Sequence, residues 1–284
     1  MLAIDPRVHV DHVALRVSDV GRSAAFYSLV GGLEIRDQGS EHASLGAPAG
    51  GRPVLRLRRA PDPARRATRA TGLFHSALLF EGREGLGAAL ARIAEAKIPL
   101  SGASGHGVSE ALYLDDPDGL GVELYRDRPR ASWPRATASG ERVAMFTGPL
   151  DVRALLADAA PDAGRVTLGH AHLKVSDLDA SLRFWVEGMG LELMQHFGGA
   201  AAFVAAGGYH HHIGMNVWHS LGAPPEDRSA PGLDHVALAY PDERSLADAR
   251  ARLAHAEPEP NGIGVQLVQV EPASAPAADP ELPA

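Results

Sequence analysis

The feature that most constrains this chain is an internal repeat, because a repeated segment folds as one supersecondary unit each time it occurs. Each copy opens with a histidine that begins an alternation of two residue faces, one of them apolar, which is the pattern of a short half-buried strand. The opening histidines of the four copies are His12, His75, His170 and His235. We therefore predict four related structural units along the 284 residues.

A helix is predicted after each of these strands. Ser18 in the first copy and Ser176 in the third stand where helix N-caps are expected, since a serine oxygen accepts a hydrogen bond from a free amide of the first turn. Glycines such as Gly31 and Gly32 follow the helices and suit the left-handed conformation of a C-terminal cap. Short strands come next, so each unit is predicted to have the order β-α-β-β-β.

The repeat divides the chain into paired units, a linker and a tail. The paired units cover residues 1–130 (1–70 and 71–130) and 166–271 (166–222 and 232–271). Residues 131–165 form the linker, with a short helix predicted at 151–158. Residues 272–284 are rich in proline and alanine and have no apolar period, so we expect a flexible tail.

Composition argues against several classes of function. Lysine and arginine number 27 against 35 aspartates and glutamates, a net charge of −8, so there is no electrostatic case for a nucleic-acid partner. The chain has no cysteine, which removes disulfides, thiolate nucleophiles and sulfur-ligated metal sites. No apolar run approaches a membrane span, and residues 1–11 lack the apolar core of a signal peptide. We expect a soluble, cytoplasmic protein with no membrane partner.

One stretch of sequence places three chemically useful side chains in a single strand–turn–strand unit. It runs from His106 to Glu123, with Tyr113 ten residues before Glu123. The turn Asp116–Gly119 has the sequence Asp-Pro-Asp-Gly, in which proline fixes φ and glycine tolerates a positive φ, so Tyr113 and Glu123 should lie on neighbouring strands. A carboxylate on an otherwise apolar strand is costly to bury unless a cation meets it. The alternative is a glutamate that faces water on an edge strand.

These features resemble the vicinal oxygen chelate superfamily, which includes glyoxalase I, bleomycin-resistance proteins and extradiol dioxygenases. The resemblance covers nearly the whole chain apart from the linker and the tail. The four-unit length and residues 106–123 are similar to type I extradiol ring-cleaving dioxygenases, and the run Gly208–Gly214, Gly-Tyr-His-His-His-Ile-Gly, resembles a motif of a catechol 2,3-dioxygenase subgroup. The resemblance implies an α+β fold in which four β-α-β-β-β modules pair into two curved mixed sheets.

The same resemblance implies that two first-strand histidines and one last-strand glutamate bind iron(II). Glu123 is the candidate acid, because Gln266 occupies the corresponding place in unit four and a neutral amide is a poor ligand for a hard dication. Units one and three end in Leu55–Leu57 and Met215–Val217, without an acid. We therefore predict one metal site, built on unit two, with His75 as the partner of Glu123.

The third ligand depends on which units pair. Pairing of units one and two would bring His12 to the site, and pairing of units two and three would bring His170. In the family, the catalytic histidine lies near the end of the unit that supplies the first metal histidine, and unit three carries His210–His212 at that place. We therefore favour His170. This choice departs from the commoner family order, in which units three and four build the site, and implies that unit two pairs with unit three and unit one with unit four.

The resemblance also assigns the catalytic side chains. His212 is chosen as the acid–base residue, with His210 and His211 as alternatives, and histidine suits this role because its pKa lies close to working pH. Tyr113 is expected to donate a hydrogen bond to a substrate oxygen, and His106 to orient it. Candidates for an apolar ring pocket are Phe203, Met215 and Trp218.

The implied activity is extradiol cleavage of a catechol with Fe(II) and O2, which gives a 2-hydroxymuconic semialdehyde-type product in aromatic hydrocarbon catabolism. Manganese(II) accepts the same ligands. The expected partners are a small aromatic diol and O2, and a homo-oligomer is compatible with the sequence. Two alternatives are a glyoxalase-type metal-dependent lyase or isomerase, which would normally want a second acid, and a metal-free small-molecule binding protein, which has little use for a His/His/Glu set.

Overall fold

The computed structural model describes residues 4–48, 50–64, 69–137, 140–160 and 164–270. The tail at 272–284 lies outside the described residues. The strands are β1 (His9–Val17), β2 (Glu34–Gln38), β3 (His42–Gly46), β4 (Leu55–Arg59), β5 (Gly72–Phe80), β6 (Gly102–Gly105), β7 (Ser109–Asp115), β8 (Gly121–Asp127), β9 (Val166–Lys174), β10 (Glu192–Phe197), β11 (Ala201–Ala205), β12 (Ile213–Asn216), β13 (Gly232–Tyr240) and β14 (Gly264–Gln269).

In the described ranges, four α-helices follow the first strands of the units, as the repeat predicts, and one lies in the linker. They are α1 (Val20–Gly31), α2 (Arg83–Glu95), α3 (Val152–Ala157), α4 (Leu178–Leu182) and α5 (Glu243–His255). A 3-10 turn spans Arg130–Ser132, and a π-helical turn, Arg183–Gly188, continues α4. Within the described ranges, no helix has both the length and the apolar character needed to span a bilayer.

The strands of the described residues form two mixed sheets. The six-stranded sheet has the order β14-β13-β1-β4-β3-β2, and the eight-stranded sheet has the order β10-β11-β12-β9-β5-β8-β7-β6. The central seams are the antiparallel pairs β1·β13 and β5·β9. Unit one therefore pairs with unit four and unit two with unit three. This confirms the predicted exchange of partners and the predicted α+β class with two curved mixed sheets.

Unit four is shorter than the sequence pattern predicted. β13, α5 and β14 follow one another with no strand between α5 and β14, so this unit is β-α-β and the β-α-β-β-β prediction is wrong for it. Only residues 256–263 separate the helix from β14, too few for a hairpin of two strands of ordinary length. Units one to three have the complete predicted order.

The helix N-caps lie one residue later than predicted. Asp19 caps α1 and Asp177 caps α4, each through a side-chain oxygen 2.9 Å from a backbone amide three residues further on. Ser18 instead donates its hydroxyl proton to Asp118, and Ser176 also lies outside its helix. An aspartate is the better cap here because its carboxylate both accepts the amide proton and meets the positive end of the helix dipole.

The linker connects the two edge strands of the eight-stranded sheet. Its backbone pairs with the edge strand β6 through Gly148 and Gly105, and Met145 bonds the opposite edge strand β10, with its amide 2.8 Å from Oε1 of Gln195. Since the two attachment points, Met145 and Gly148, are three residues apart, the two edges of the sheet must approach each other closely. The linker helix predicted at 151–158 is α3, which covers Val152–Ala157.

Candidate metal centre

Three buried side chains meet at the centre of the eight-stranded sheet. Oε2 of Glu123 lies 2.8 Å from Nε2 of His75 and 3.0 Å from Nε2 of His170. The two imidazole nitrogens are 3.4 Å apart. In the part of the chain that the structure describes, this is the one group of at least three histidine, cysteine or acidic residues whose ligand atoms all lie within 4.8 Å of one another.

The register of three neighbouring strands explains this convergence. β5 lies between β8, to which it is parallel, and β9, to which it is antiparallel. Ala77 on β5 is opposite Glu123 on one side and His170 on the other. His75 precedes Ala77 by two residues and therefore projects from the same face of the sheet. The short side chain of Ala77 leaves the space between the donors free.

The alternative third ligand lies in the other sheet. Nε2 of His12 is 3.3 Å from Nε2 of His235, and both residues belong to the six-stranded sheet. In that sheet the place that corresponds to Glu123 is held by Gln266 of unit four, opposite Ala237, and by Arg56 of unit one, opposite Ala14. The structure therefore brings His170, and not His12, to Glu123 and His75.

Burial and neighbouring groups shift the pKa values of two of the three donors, Glu123 and His170. Burial by itself raises the pKa of Glu123, but the adjacent His170 and His75 more than offset this effect and hold the pKa well below its usual range. Burial lowers the pKa of His170 to about 4, although Glu123 opposes the shift. A carboxylate and neutral imidazoles are the forms that coordinate a cation.

The donor set fits a divalent metal ion that keeps open positions. Two imidazole nitrogens and one carboxylate oxygen on one side of an ion are the facial arrangement used by non-haem iron(II) oxygenases. All three residues are almost completely buried, with exposed fractions of 7% for His75, 3% for Glu123 and 1% for His170. A buried carboxylate without a cation would be costly, so the chemistry of the site favours an ion there.

A hydrogen-bonded line leads away from Glu123. The hydroxyl of Tyr113 is 3.2 Å from Oε1 of Glu123 and 2.6 Å from Nε2 of His106. Nδ1 of His106 is 2.9 Å from the carbonyl oxygen of Phe146, and because a carbonyl only accepts, Nδ1 carries the proton of the neutral ring. Burial, with Glu123 nearby, raises the pKa of Tyr113 well above its usual range. The phenol therefore keeps its proton and donates a hydrogen bond to Glu123 or to His106.

Two of the three donors, His75 and Glu123, line a cavity of about 490 Å³, which is large enough for one small aromatic molecule. Phe203 and Trp218 line it as predicted, together with Phe74 and the linker residue Phe146. Met215 does not line it and is completely buried in the main apolar core. The predicted pocket is therefore correct for two of its three residues. The contribution of the linker was not predicted, since its sequence shows no strand pattern.

The three consecutive histidines face in different directions. The ring of His211 lines the cavity, with its centroid 4.0 Å from that of His170. Nε2 of His210 is 2.9 Å from Oδ1 of Asp127. His212 lines a different cavity, and its Nδ1 accepts a hydrogen bond from a backbone amide at 3.2 Å. Of the three, His211 is therefore the histidine beside the donors, and His212, the residue chosen as the acid–base group, is not.

The backbone explains why the three histidines face in different directions. A straight strand over residues 208–214 would place His210 and His212 on one face, but β12 begins only at Ile213. Gly207 and Gly208 have φ values of 60° and 65°, in the left-handed region, and residues 209–212 are irregular. Alternation therefore does not apply to these histidines. The paired glycines before the motif were the signal of a bend.

Comparisons with known proteins identify the family of this chain. Residues 9–124 and 167–278 match the family model described as the glyoxalase/bleomycin resistance protein/dioxygenase superfamily. The chain therefore belongs to this superfamily. It is 38% identical over 263 residues to the "Catechol-2,3-dioxygenase" of Bacillus subtilis (strain 168), a match that covers 90% of this chain and 91% of the relative.

Solved structures share the fold. One mutant of glyoxalase I from Zea mays matches with a TM-score of 0.55 at 17% identity and covers 93% of this chain and 94% of its own. A second mutant of the same enzyme matches with a TM-score of 0.52 at 17% identity and covers 92% of both chains. At these identities the likeness concerns the fold alone.

Proposed function

We propose that this protein is a non-haem iron(II) extradiol dioxygenase, similar to catechol 2,3-dioxygenase, that inserts O2 into a catechol ring beside the diol. The observation that carries the proposal is the group formed by His75, Glu123 and His170, two of which, His75 and Glu123, line a cavity together with His211 and Tyr113. The likeness to a catechol-2,3-dioxygenase supports the substrate class. The expected product is a 2-hydroxymuconic semialdehyde.

His75, Glu123 and His170 would hold the iron(II) ion, and the bound ion would supply the redox chemistry that lets O2 react with a diol. These three residues contribute one negative charge in total, from Glu123, because the imidazoles are neutral ligands. The charge of the dication is thus only half neutralised by the protein. The remaining positive charge favours the ionised form of a catechol hydroxyl in the cavity.

His211 is the candidate acid–base residue. Burial lowers the pKa of His211 well below its usual range, so its ring is neutral before a substrate binds and can hold a proton from a catechol hydroxyl group. Tyr113 retains its proton and can turn its hydroxyl hydrogen bond toward a substrate oxygen. Phe203 and Trp218 would contact the aromatic ring and exclude water.

A glyoxalase-type lyase or isomerase has less support. Such an enzyme would normally want a second acid, and the unit that pairs with unit two offers none at the expected place. The position on β12 that corresponds to Glu123 is Gly214, opposite His172. A Cβ atom at Gly214 would lie 3.0 Å from the ring of His172. This histidine therefore fills the space that a second acid would need.

The test is anaerobic reconstitution with Fe(II), followed by addition of catechol in air near neutral pH. We expect a yellow ring-cleavage product. In His170→Ala its rate of formation should fall by more than roughly 10- to 100-fold, which is the loss expected when a residue that only hydrogen-bonds to a metal ligand is removed. His12→Ala is the matched control, because His12 and His170 are each 1% exposed and each faces a second histidine. It should retain activity within a few-fold.

The proposal is wrong if protein shown to contain one iron(II) ion gives no product from catechol, methylcatechols or a biphenyl diol. Loss of activity in His12→Ala with full activity in His170→Ala would place the metal in the other sheet. Reconstitution with Mn(II) in place of Fe(II) identifies which of the two ions supports turnover.

A further inference from the structure

Behind His211, a buried histidine and a partly exposed aspartate form a second line of hydrogen bonds. Nδ1 of His211 is 2.7 Å from Nδ1 of His210, whose Nε2 is 2.9 Å from Oδ1 of Asp127. Asp127 is the last residue of β8 and its side chain is 26% exposed. Its other oxygen accepts a hydrogen bond from the hydroxyl of Tyr209 at 2.9 Å. An unbroken line of hydrogen bonds therefore joins the cavity to the end of β8.

The chemistry of these groups restricts where the protons lie. A carboxylate only accepts hydrogen bonds, so Nε2 of His210 carries a proton that it donates to Asp127. A neutral imidazole has one N–H group, so Nδ1 of His210 must then accept, and Nδ1 of His211 must donate to it. Nε2 of His211 is left with its lone pair. A doubly protonated His210 would reverse this tautomer.

We propose that Asp127 and His210 are positioning residues that hold His211 as the Nδ1-protonated tautomer, with the lone pair of Nε2 presented to the cavity. The inference rests on the proposed function in taking His211 as the acid–base residue. In this tautomer a catechol O–H bond can break as an N–H bond forms at Nε2. The positive charge on His211 is then met through its Nδ1–H bond to His210 and by the carboxylate of Asp127.

Packing fixes the orientation of both rings. The centroid of His211 is 4.0 Å from that of His170 and 4.8 Å from that of Phe203. The centroid of His210 is 4.1 Å from that of Tyr209, which also anchors Asp127. A rotated ring would lose these contacts together with its hydrogen bond. The arrangement is therefore a rigid support for His211, as the positioning of a catalytic imidazole requires.

The chain contains a matched arrangement without a catalytic cavity. In the six-stranded sheet, Oδ2 of Asp11 is 2.6 Å from Nδ1 of His12, and Nε2 of His12 is 3.3 Å from Nε2 of His235. Asp11→Asn therefore makes the same substitution in an aspartate–histidine–histidine line of the other sheet that does not include His211, and it also removes the ion pair of Asp11 with Arg52. It serves as the control for Asp127→Asn.

The test is a long-range proton–nitrogen NMR correlation spectrum of the metal-free protein labelled with 15N-histidine, at neutral pH. The signals of His211 are assigned by their absence in His211→Gln. We expect the proton on Nδ1 in the wild-type protein and in Asp11→Asn. In Asp127→Asn the amide can donate to His210, so we expect a mixed or reversed tautomer of His211.

The kinetic part uses the iron-loaded protein. In Asp127→Asn we expect kcat to fall at least about tenfold with KM for catechol nearly unchanged, because loss of a carboxylate that fixes a catalytic tautomer costs up to roughly 10⁴ in kcat elsewhere. A wild-type His211 protonated on Nε2, or an Asp127→Asn variant with unchanged tautomer and kcat, would overturn the inference. The wild-type spectrum decides the tautomer even if a variant does not fold. The expected tautomer in a protein that cleaves no catechol would refute the proposed function alone.

Discussion

At the scale of single residues, hydrogen bonds decide which histidine nitrogens are free to bind a metal. His172 lines the cavity close to His75, with ring centroids 4.8 Å apart. Its Nε2 is 3.1 Å from Nδ2 of Asn216, whose Oδ1 accepts the amide of Trp218 at 3.3 Å. The amide nitrogen of Asn216 is thereby fixed as the donor, and Nε2 of His172 is occupied as an acceptor. His172 is therefore part of the cavity wall, while His170 two residues earlier supplies the ligand atom.

Removal of the Tyr113 hydroxyl tests the line that leads from Glu123. In Tyr113→Phe we expect kcat for catechol cleavage to fall roughly 10- to 100-fold, as loss of the outer partner of a ligand does. The control is Tyr27→Phe, since the hydroxyl of Tyr27 also donates to a buried carboxylate, that of Asp116, at 3.1 Å. Both variants should lose about 1–3 kcal/mol of unfolding free energy. Equal effects of the two variants on kcat would show that Tyr113 acts only through stability.

At the scale of elements, one side chain holds the turn between β7 and β8. Oδ1 of Asp116 accepts the backbone amides of Asp118 and Leu120 at 2.8 Å and 2.9 Å. Its Oδ2 accepts the hydroxyl of Tyr27 from α1. The turn that aligns the two strands is therefore anchored to unit one, although the strands themselves belong to the eight-stranded sheet. Burial raises the pKa of Asp116 to about 6.

This shift predicts a pH dependence of stability. The pKa of Asp116 in the folded chain lies above the value near 3.9 of an unfolded aspartate, so the folded state binds the proton more tightly. The stability it contributes is complete below about pH 4 and is lost as the pH rises through about 6. At pH 7, Asp116→Asn should therefore be more stable than the wild-type protein by roughly 2–3 kcal/mol.

Denaturant unfolding between pH 4 and pH 7 measures this difference. The advantage of Asp116→Asn should shrink toward pH 4, where the wild-type carboxyl group is itself neutral. Asp115→Asn changes the adjacent, exposed aspartate and should show no comparable gain. The prediction is contradicted if both variants follow the wild-type pH profile in parallel.

At the scale of the whole molecule, the pairing of units could be predicted because the units differ in chemistry. Only unit two ends in an acid, Glu123, and only unit three carries the three consecutive histidines, so a complete site required these two units to meet. The short form of unit four could not be predicted from its opening strand, because β13 resembles the other first strands. The direction of His211 could not be predicted either, since it follows from the backbone bend at Gly207 and Gly208.

The donor group also joins the two halves of the chain. His75 and Glu123 precede the linker and His170 follows it, and their strands form the central seam of the eight-stranded sheet. These three donors converge only in the folded chain, so a bound cation stabilises the folded state and not the unfolded one. At a free ion concentration 100 times Kd the gain is about 2.7 kcal/mol, or roughly 5–10 °C in Tm for a chain of this size.

Thermal unfolding with Mn(II) measures this gain without oxidation of the ion. We expect Tm to rise with Mn(II) concentration, to return to its starting value with a chelator, and to rise equally in His12→Ala. The rise should vanish in His170→Ala, because two donors from unit two alone cannot hold the ion across the seam. A rise that persists in His170→Ala would place the cation elsewhere in the molecule. It would also show that metal binding does not depend on the pairing of units two and three.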